Sequence, residues 1–519
     1  DEAAGKIIEG LKKLEYRGYD SSGIAILSDK GIELNKCKGE IKNLENMIAG
    51  RVPSGTCGIG HTRWATHGAP SDVNSHPHMD QSGRVALVHN GIVENYVELK
   101  EALINEHGIK FKSETDSEVI AQLVGVKYNA NGGDLEKAVY DATKEMRGTY
   151  AIGVIAEDTP NKIVAYRKEA PLIAGLGKKS NFIASDIPAL LKYTNDIFLI
   201  ENDEMVICTP DSITIKDKDG KEVKREAMKI TWSVEDAEKG GYEHFMLKEI
   251  NEQPKVVAET LNRRIDEDGK IKLDGINLTK EELDKYNKIY IVACGTAYHA
   301  GLVGKYVIEK MAGIAVEVDV ASEFRYRDPF IDEKTLFIAI SQSGETLDTL
   351  MSLRLAKEKG ARVLSVVNVV GSSIARESDD VFYTWAGPEI AVASTKAYTT
   401  QLVCMYLIAL YLGDIRGTLT DEYRKFILEE LQQIPEKIQE ILEEAPYIEK
   451  LAKRLYNKTQ VFFIGRGLDS AVAYEGSLKL KEISYINSFA IAAGELKHGT
   501  IALMEPDTVV VAMATQDRL

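Results

Sequence analysis

The sequence has few cysteines and no long apolar run. Five cysteines occur among 519 residues, an odd number without a CxxC pair: Cys37, Cys57, Cys208, Cys294 and Cys404. This pattern disfavours a disulfide framework or a structural zinc site and predicts a reducing, cytoplasmic location. The sequence shows no signal-peptide pattern and no apolar run of membrane-spanning length, so we expect no membrane partner.

Excess basic charge is also missing. The net charge is −16 at pH 7, from 64 Lys and Arg against 80 Asp and Glu. Broad contact with nucleic acid needs a basic surface and is disfavoured, whereas a small phosphate ligand needs only a local group of donors. Hydrophobic residues make up 44% and charged residues 28%, typical of a globular protein, and the length predicts about three domains.

The pattern of predicted strands and helices changes twice along the chain. Residues 1–230 mix helices with short strand-like runs and predict a first domain. Its predicted strands are 22–27, 84–88, 150–155 and 182–184. Residues 231–286 indicate a connector, with a lead-in helix after Pro254. From there, apolar strands such as KIYIVA alternate with amphipathic helices, which predicts a parallel sheet covered on both faces over 287–430.

The strand, glycine loop and helix then begin again. QVFFIG at 460–465 starts the second copy, and AGELKH at 493–498 matches ASEFRY at 321–326, about 172 residues earlier. This spacing is too long for a solenoid repeat and indicates a duplicated domain over 450–519. We expect the second copy to be C-terminally truncated, because Leu519 falls where the first copy would enter its next helix.

Five of the nine histidines fall close together in the first domain. They are His61, His67, His76, His78 and His89. A metal site is one interpretation, although no HExxH spacing occurs and Arg63 lies among the ligands.

An amino-acid pocket is the other interpretation. Arg63 would hold an α-carboxylate, Asn90 and Gly91 an oxyanion, and Asp116 an α-ammonium group. Taken one at a time, these residues are better explained as parts of turns, because NG and HG are common turn dipeptides.

Taken together, the motifs resemble a known family. EYRGYDSSG (15–23), HTRWATHG (61–68), HPH (76–78), HNGIVEN (89–95) and SETDSE (113–118) resemble, in order, the glutaminase domain of the glutamine–fructose-6-phosphate aminotransferases, also called glucosamine-6-phosphate synthases. The resemblance implies a layered α+β domain of the N-terminal-nucleophile class. It also implies that glutamine and its tetrahedral intermediate are held by Arg63, Thr66, His67, Asn90, Gly91 and Asp116, and that Trp64 gates an ammonia passage.

The nucleophile of that family is a cysteine at the mature N-terminus, whose own amine acts as general base. The sequence opens inside the family pattern, so we expect this cysteine just upstream of Asp1. Cys57, in TCGIGH, copies the expected start but lies mid-chain without a free amine. We therefore predict that it is a buried strand residue.

The repeated half resembles the sugar-isomerase (SIS) domains of the same family. The match lies in VACGTAYHAG, SEFRYRD, SQSGET, VASTKAYTTQ, YEGSLKLKEISY and AGELKHG. CGTAY predicts a tight loop, and SQSGET alone is no better than a Ser/Gly turn, while GLGKKS (175–180) lacks P-loop spacing. The resemblance implies two flavodoxin-like αβα domains, in which Ser341, Gln342, Ser343 and Thr346 bind phosphate. The Cys294–Gly295 turn, Thr296, Val392 and Ser394 would line the sugar.

Glu475, Lys479 and Glu482 share one helix face by their spacing. An exposed salt-bridged face is the usual explanation, but apolar neighbours such as Ile483 predict a mostly buried helix with a charged stripe. By resemblance, Glu482 is the base that moves a proton between C1 and C2 of the sugar, Lys479 its cationic neighbour and Glu475 a supporting residue. His498 would open the sugar ring from a second subunit, and the Schiff-base lysine of the family would lie beyond Leu519.

The sequence thus predicts a homodimeric amidotransferase that uses L-glutamine and D-fructose 6-phosphate, without cofactor or metal. A non-catalytic sugar-phosphate sensor is the alternative, because free SIS domains serve as such modules. Another type of glutamine amidotransferase would need an acidic phosphoribosyltransferase loop, which is not found.

Overall fold

The computed structural model describes residues 2–15, 18–63, 68–230, 239–262, 264–265, 271–273, 275–276 and 278–515. The chain forms two compact units, Asp1–Ala237 and Glu238–Leu519, called here the N-terminal and C-terminal units. The predicted Trp64, Thr66 and His67 lie outside the described residues.

The N-terminal unit is built from antiparallel sheets and flanking helices. Its strands are β1 (Ser21–Ser28), β2 (Gly31–Lys38), β3 (Cys57–Arg63), β4 (His78–Met79), β5 (Val85–Val93), β6 (Gly148–Ala156), β7 (Ile163–Lys168), β8 (Ile173–Gly175), β9 (Phe182–Ala184), β10 (Asp196–Leu199), β11 (Glu204–Cys208), β12 (Ile213–Lys216) and β13 (Met228–Lys229). Its helices are α1 (Ala3–Leu14), α2 (Ile41–Ile48), α3 (Tyr96–His107), α4 (Asp116–Ala130) and α5 (Leu135–Thr143). The sheet orders are β2-β1-β3, β13-β10-β8-β9 and β12-β11-β7-β6-β5-β4.

Alternating burial stacks these elements in layers. Ile24 and Ile26 of β1 pack on α1 and α2, whereas Ala25 and Leu27 face the six-stranded sheet. The other face of that sheet packs on α3, α4 and α5. Because side chains of a strand alternate between faces, one apolar strand serves two cores. The predicted layered α+β fold is confirmed.

The C-terminal unit has parallel sheets. Its helices are α6 (Phe245–Asn262), α7 (Lys280–Leu283), α8 (Gly295–Ala312), α9 (Ala321–Phe324), α10 (Leu347–Glu358), α11 (Ser373–Glu377), α12 (Lys396–Arg416), α13 (Asp421–Glu443), α14 (Ala445–Leu455) and α15 (Leu468–Ser484). Its strands are β14 (Lys288–Ala293), β15 (Ala315–Val320), β16 (Thr335–Ser341), β17 (Arg362–Val367), β18 (Asp380–Tyr383), β19 (Gln460–Gly465), β20 (Asn487–Ala492) and β21 (Val509–Ala512).

The first parallel sheet has the order β15-β14-β16-β17-β18, the flavodoxin-like order 2-1-3-4-5. Ile289 and Ile291 enter one apolar core and Tyr290 and Val292 the other, so both faces are covered as predicted. The second sheet, β20-β19-β21, is also parallel and begins with the same order. The repeat in the sequence therefore corresponds to a repeat in the fold.

Two helices differ from the sequence prediction. α6 begins at Phe245 and runs through Pro254 rather than starting after it. Proline has no N–H for the Ile250 carbonyl, and the Gln253 side-chain amide donates to that oxygen instead (3.0 Å). α8 begins at Gly295, so CGTAY is not a loop before the helix but largely its first turn.

α12 is long and apolar enough to cross a membrane by length and composition alone. In this unit, 67% of its most apolar window is buried, as in a core helix. The sequence prediction of no membrane-spanning run overlooked this segment.

Candidate active sites

In the N-terminal unit, three elements converge on a cavity of about 680 Å³. β3 contributes His61 and Arg63, β5 contributes Asn90 and Gly91, and the start of α4 contributes Asp116. The Thr115 side chain accepts a hydrogen bond from the Glu118 N–H, which caps α4 and places Asp116 in its first turn.

Arg63 and Asp116 bring opposite charges to this cavity. Arg63 is buried, and one of its terminal nitrogens, Nη2, donates to the Gly68 carbonyl at 3.0 Å. Burial lowers the pKa of the Arg63 guanidinium, and the nearby Asp20 and Asp116 carboxylates oppose that shift. Asp116 accepts from the Val93 N–H through Oδ2 at 3.0 Å. A cation and an anion on one cavity suit the two charged ends of an amino acid.

Asn90 and Gly91 lie inside a strand rather than in a turn, so the turn interpretation is wrong for this pair. Gly91 has φ +122°, and an added Cβ would lie 2.0 Å from the Thr149 carbonyl oxygen. Only glycine fits this conformation and this close approach. The Asn90 Oδ1 atom lies 2.7 Å from His61 Nε2.

His61, His76 and His78 form a buried, uncharged group. The rings of His61 and His76 are 4.3 Å apart between centroids, and those of His76 and His78 are 4.9 Å apart. Burial lowers the pKa of His61 to about 4 and the pKa values of His76 and His78 well below their usual range. Among the described residues, no group of three or more His, Cys, Asp or Glu side chains is arranged to hold a metal ion.

Cys57 is buried at the start of β3, as predicted. Burial raises the pKa of its thiol to about 11, so little thiolate exists at neutral pH. This environment does not suit a nucleophile.

In the C-terminal unit, SQSGET connects β16 to α10. The Ser341 hydroxyl accepts from the Gly344 N–H at 3.0 Å and lies 3.0 Å from the Thr346 hydroxyl. Thr346 is the N-cap of α10 but makes no side-chain cap hydrogen bond. Four hydroxyl or amide side chains (Ser341, Gln342, Ser343 and Thr346) thus surround a helix N-terminus, an arrangement that suits phosphate.

The neighbouring segment fixes this loop. The Glu345 carboxylate accepts from the Ser373 N–H and hydroxyl, both at 2.8 Å. Gly344 has φ +66°, and a Cβ there would lie 1.9 Å from the Ser372 Oγ atom. The loop conformation is therefore set by its contacts as well as by its sequence.

A second group joins the two copies of the repeat. Thr296 on α8 donates to Glu475 Oε1 at 3.0 Å, and Lys479 donates to the Thr296 hydroxyl at 3.2 Å. Lys479 also forms ion pairs with Glu475 (3.4 Å) and with Glu482. His299 completes the group, with Nδ1 2.7 Å from Glu475 Oε2.

Known proteins carry the same arrangement of domains. Residues 61–192 match the model of the glutamine amidotransferase domain, and 282–411 and 454–519 match that of the SIS domain. The chain is 59% identical over 518 residues to the glutamine–fructose-6-phosphate aminotransferase (isomerizing) of Clostridium tetani, covering 100% of this chain and 84% of the relative. It belongs to this family.

A more distant relative and a solved structure agree. The aminotransferase of the same name from Symbiobacterium thermophilum is 50% identical over 520 residues, covering 100% of this chain and 85% of the relative. The C-terminal domain of glucosamine-fructose-6-phosphate aminotransferase from Francisella tularensis is 45% identical, with a TM-score of 0.52 over 54% of this chain and 79% of that chain.

The structure does not bring every predicted family residue together. Val392 is 73% exposed, and the Ser394 hydroxyl donates to Glu389 at 2.7 Å. His498 is exposed, and among the described residues no hydrogen bond or ion pair joins it to Glu482. Cys294 is half-buried and accepts from Thr349, and burial raises the pKa of its thiol.

The predicted burial of the charged helix is only partly correct. Glu475 is buried, but Glu482 is exposed and Ile483 is 56% exposed. The last turn of α15 is uncovered by the described residues, so the stripe runs from the interior to the surface. Sequence reasoning also missed His299, whose only signal was its place in VACGTAYHAG.

Proposed function

We propose that the protein converts L-glutamine and D-fructose 6-phosphate into L-glutamate and D-glucosamine 6-phosphate. The supporting observation is that one chain carries both a cavity with charges suited to an amino acid and a hydroxyl-rich loop suited to a phosphate. A sugar-phosphate sensor would have no need of the amino-acid cavity. Membership of the aminotransferase family also supports the proposed conversion.

In the N-terminal unit, Arg63 holds the glutamine α-carboxylate and Asp116 its α-ammonium group, and Thr66 and His67 also bind glutamine. The expected N-terminal cysteine attacks the side-chain amide, and the oxyanion takes hydrogen bonds from Asn90 and the Gly91 N–H. Collapse of the intermediate releases ammonia, and water then releases glutamate. Trp64 gates the passage of ammonia.

In the C-terminal unit, the phosphate is held by Ser341, Gln342, Ser343 and Thr346. The open-chain sugar is bound along the Cys294–Gly295 turn, Thr296, Val392 and Ser394, with Glu475 supporting Lys479. Ammonia replaces the C2 oxygen, which leaves as water.

The isomerisation then moves one proton from C1 to C2, while the C1 hydroxyl loses its proton and the imine nitrogen gains one. Glu482 removes the proton from C1 and returns it to C2, while C1 becomes the aldehyde carbon. The Lys479 ammonium stabilises the developing negative charge. His498 from a second subunit opens the sugar ring, so the proposed enzyme is a homodimer. We place it in the cytoplasm.

The test uses the full-length gene product with glutamine carrying ¹⁵N in its side-chain amide and with fructose 6-phosphate. We expect glucosamine 6-phosphate that carries ¹⁵N, detected by mass spectrometry. Sugar-phosphate binding without any amino-sugar product would contradict the proposal and favour the sensor.

A further inference from the structure

His61 forms a buried hydrogen bond between two sheets of the N-terminal unit. Its Nε2 atom, on β3, lies 2.7 Å from Oδ1 of Asn90, on β5. No other hydrogen bond of the Asn90 side chain forms within the described residues, and Asn90 lines the cavity. The orientation of this amide therefore depends largely on His61.

An amide side chain has a donor end and an acceptor end, and only the NH₂ end can stabilise an oxyanion. If Oδ1 bonds to His61, the NH₂ group is left for the cavity. If the amide is reversed, its oxygen faces the cavity and would repel the developing negative charge. The role of His61 depends on which of its two nitrogens carries the proton.

The surroundings of the ring decide between its tautomers. His61 is uncharged at neutral pH, because burial lowers its pKa to about 4, so a single proton is shared between two nitrogens. The Nδ1 atom is buried without a hydrogen-bond partner among the described residues. An unpaired buried acceptor is tolerated better than an unpaired buried N–H. The proton therefore lies on Nε2, which donates to Asn90 Oδ1.

We propose that His61 is a positioning residue for glutamine hydrolysis, which holds the Asn90 amide with its NH₂ group toward the oxyanion. The inference rests on the proposed function of the cavity. It adds a role for a histidine that acts through Asn90.

Two substitutions in the full-length protein separate positioning from packing. His61→Phe keeps a ring but removes the donor, and His61→Gln keeps an N–H near the Nε2 position. For His61→Phe we expect kcat for glutamine hydrolysis to fall about 10–100-fold, less than the ~10²–10³ typical of deleting an oxyanion donor. The KM for glutamine should change little, and His61→Gln should recover most of the rate.

A double-mutant cycle with Asn90→Ala tests the coupling. In that background, His61→Phe should cause little further loss, because the amide it would orient is gone. Additive losses, an unchanged kcat in His61→Phe, or equal losses in the Phe and Gln variants would overturn the proposal. ¹⁵N chemical shifts give an independent readout, and a protonated Nδ1 would also contradict it. An inactive wild-type protein would instead count against the proposed function itself.

Discussion

The two candidate sites differ in how many of their predicted residues are buried and held in place within their own unit. In the N-terminal unit, the described site residues Arg63 and Asp116 are buried and joined to the surrounding backbone. In the C-terminal unit, the phosphate loop and Glu475 are fixed, but Glu482, His498 and Val392 are exposed. A preorganised pocket needs no partner, whereas exposed reactive groups gain a defined environment when another surface covers them. The comparison supports the proposed dimer for the second site only.

The largest effect should come from the exposed base. Glu482→Gln should slow exchange of the C1 hydrogen of the sugar with solvent by about 10²–10⁴-fold, because an amide cannot accept the proton. Glutamine hydrolysis, in the other unit, should continue at the wild-type rate and provides the control. C1 exchange at the wild-type rate would make Glu482 only a structural partner of Lys479.

Removing the hydroxyls of the phosphate loop should act on binding. In Ser343→Ala with Thr346→Ala, each lost hydrogen bond to the charged phosphate should cost about 1.5–3 kcal/mol. The KM for fructose 6-phosphate should therefore rise while that for glutamine stays constant. Gln433→Ala, on the exposed face of α13, is a matched control, because within the described part of the chain its side-chain amide donates only to the Glu429 carbonyl of its own helix. An unchanged sugar KM would move the phosphate site elsewhere, with the loop at Gly465–Gly467 the first to test.

A substitution in the N-terminal cavity should impair the use of glutamine rather than of the sugar phosphate. Arg63→Lys keeps the charge but loses the two-pronged contact with a carboxylate, so glutamine use should fall by about 10–100-fold. Any activity with free ammonia should persist, and C1 exchange of the sugar should be unaffected. Equal loss with both nitrogen donors would show that Arg63 serves something other than glutamine.

Sequence patterns predicted the local elements of both units better than the contacts between them. KIYIVA and QVFFIG coincide with β14 and β19, because apolar strands and glycine loops are encoded locally. The contact between His299 and Glu475 joins residues 176 positions apart, and no local pattern encodes it. The strand conformation of Asn90–Gly91 was hidden for a similar reason, since pairing with β6 overrides the turn preference of the dipeptide.

The smallest effect concerns stability of the C-terminal unit. Glu249, on α6, is 1% exposed, and its Oε1 accepts from the Ile390 N–H (2.6 Å) and the Ala391 N–H (3.0 Å). Burial raises its pKa to about 7, and the Glu389 charge adds to that shift, whereas the two backbone hydrogen bonds and Lys396 oppose it. Through these two hydrogen bonds, Glu249 fixes the backbone just before Val392 and Ser394.

The sign of the pH effect follows from this raised pKa. Between about pH 4.5 and 7, the folded carboxyl keeps a proton that the unfolded chain loses, so the free energy of unfolding falls as the pH rises through this window. The loss is on the order of 3 kcal/mol, from about 1.4 kcal/mol for each pKa unit. Glu249→Gln keeps an oxygen for both N–H groups but cannot ionise. The difference in Tm between variant and wild type should therefore shift in favour of Gln from pH 5 to pH 8, whatever the offset at pH 5. A pH-independent difference in Tm would show that Glu249 has the same pKa in the folded and unfolded chain.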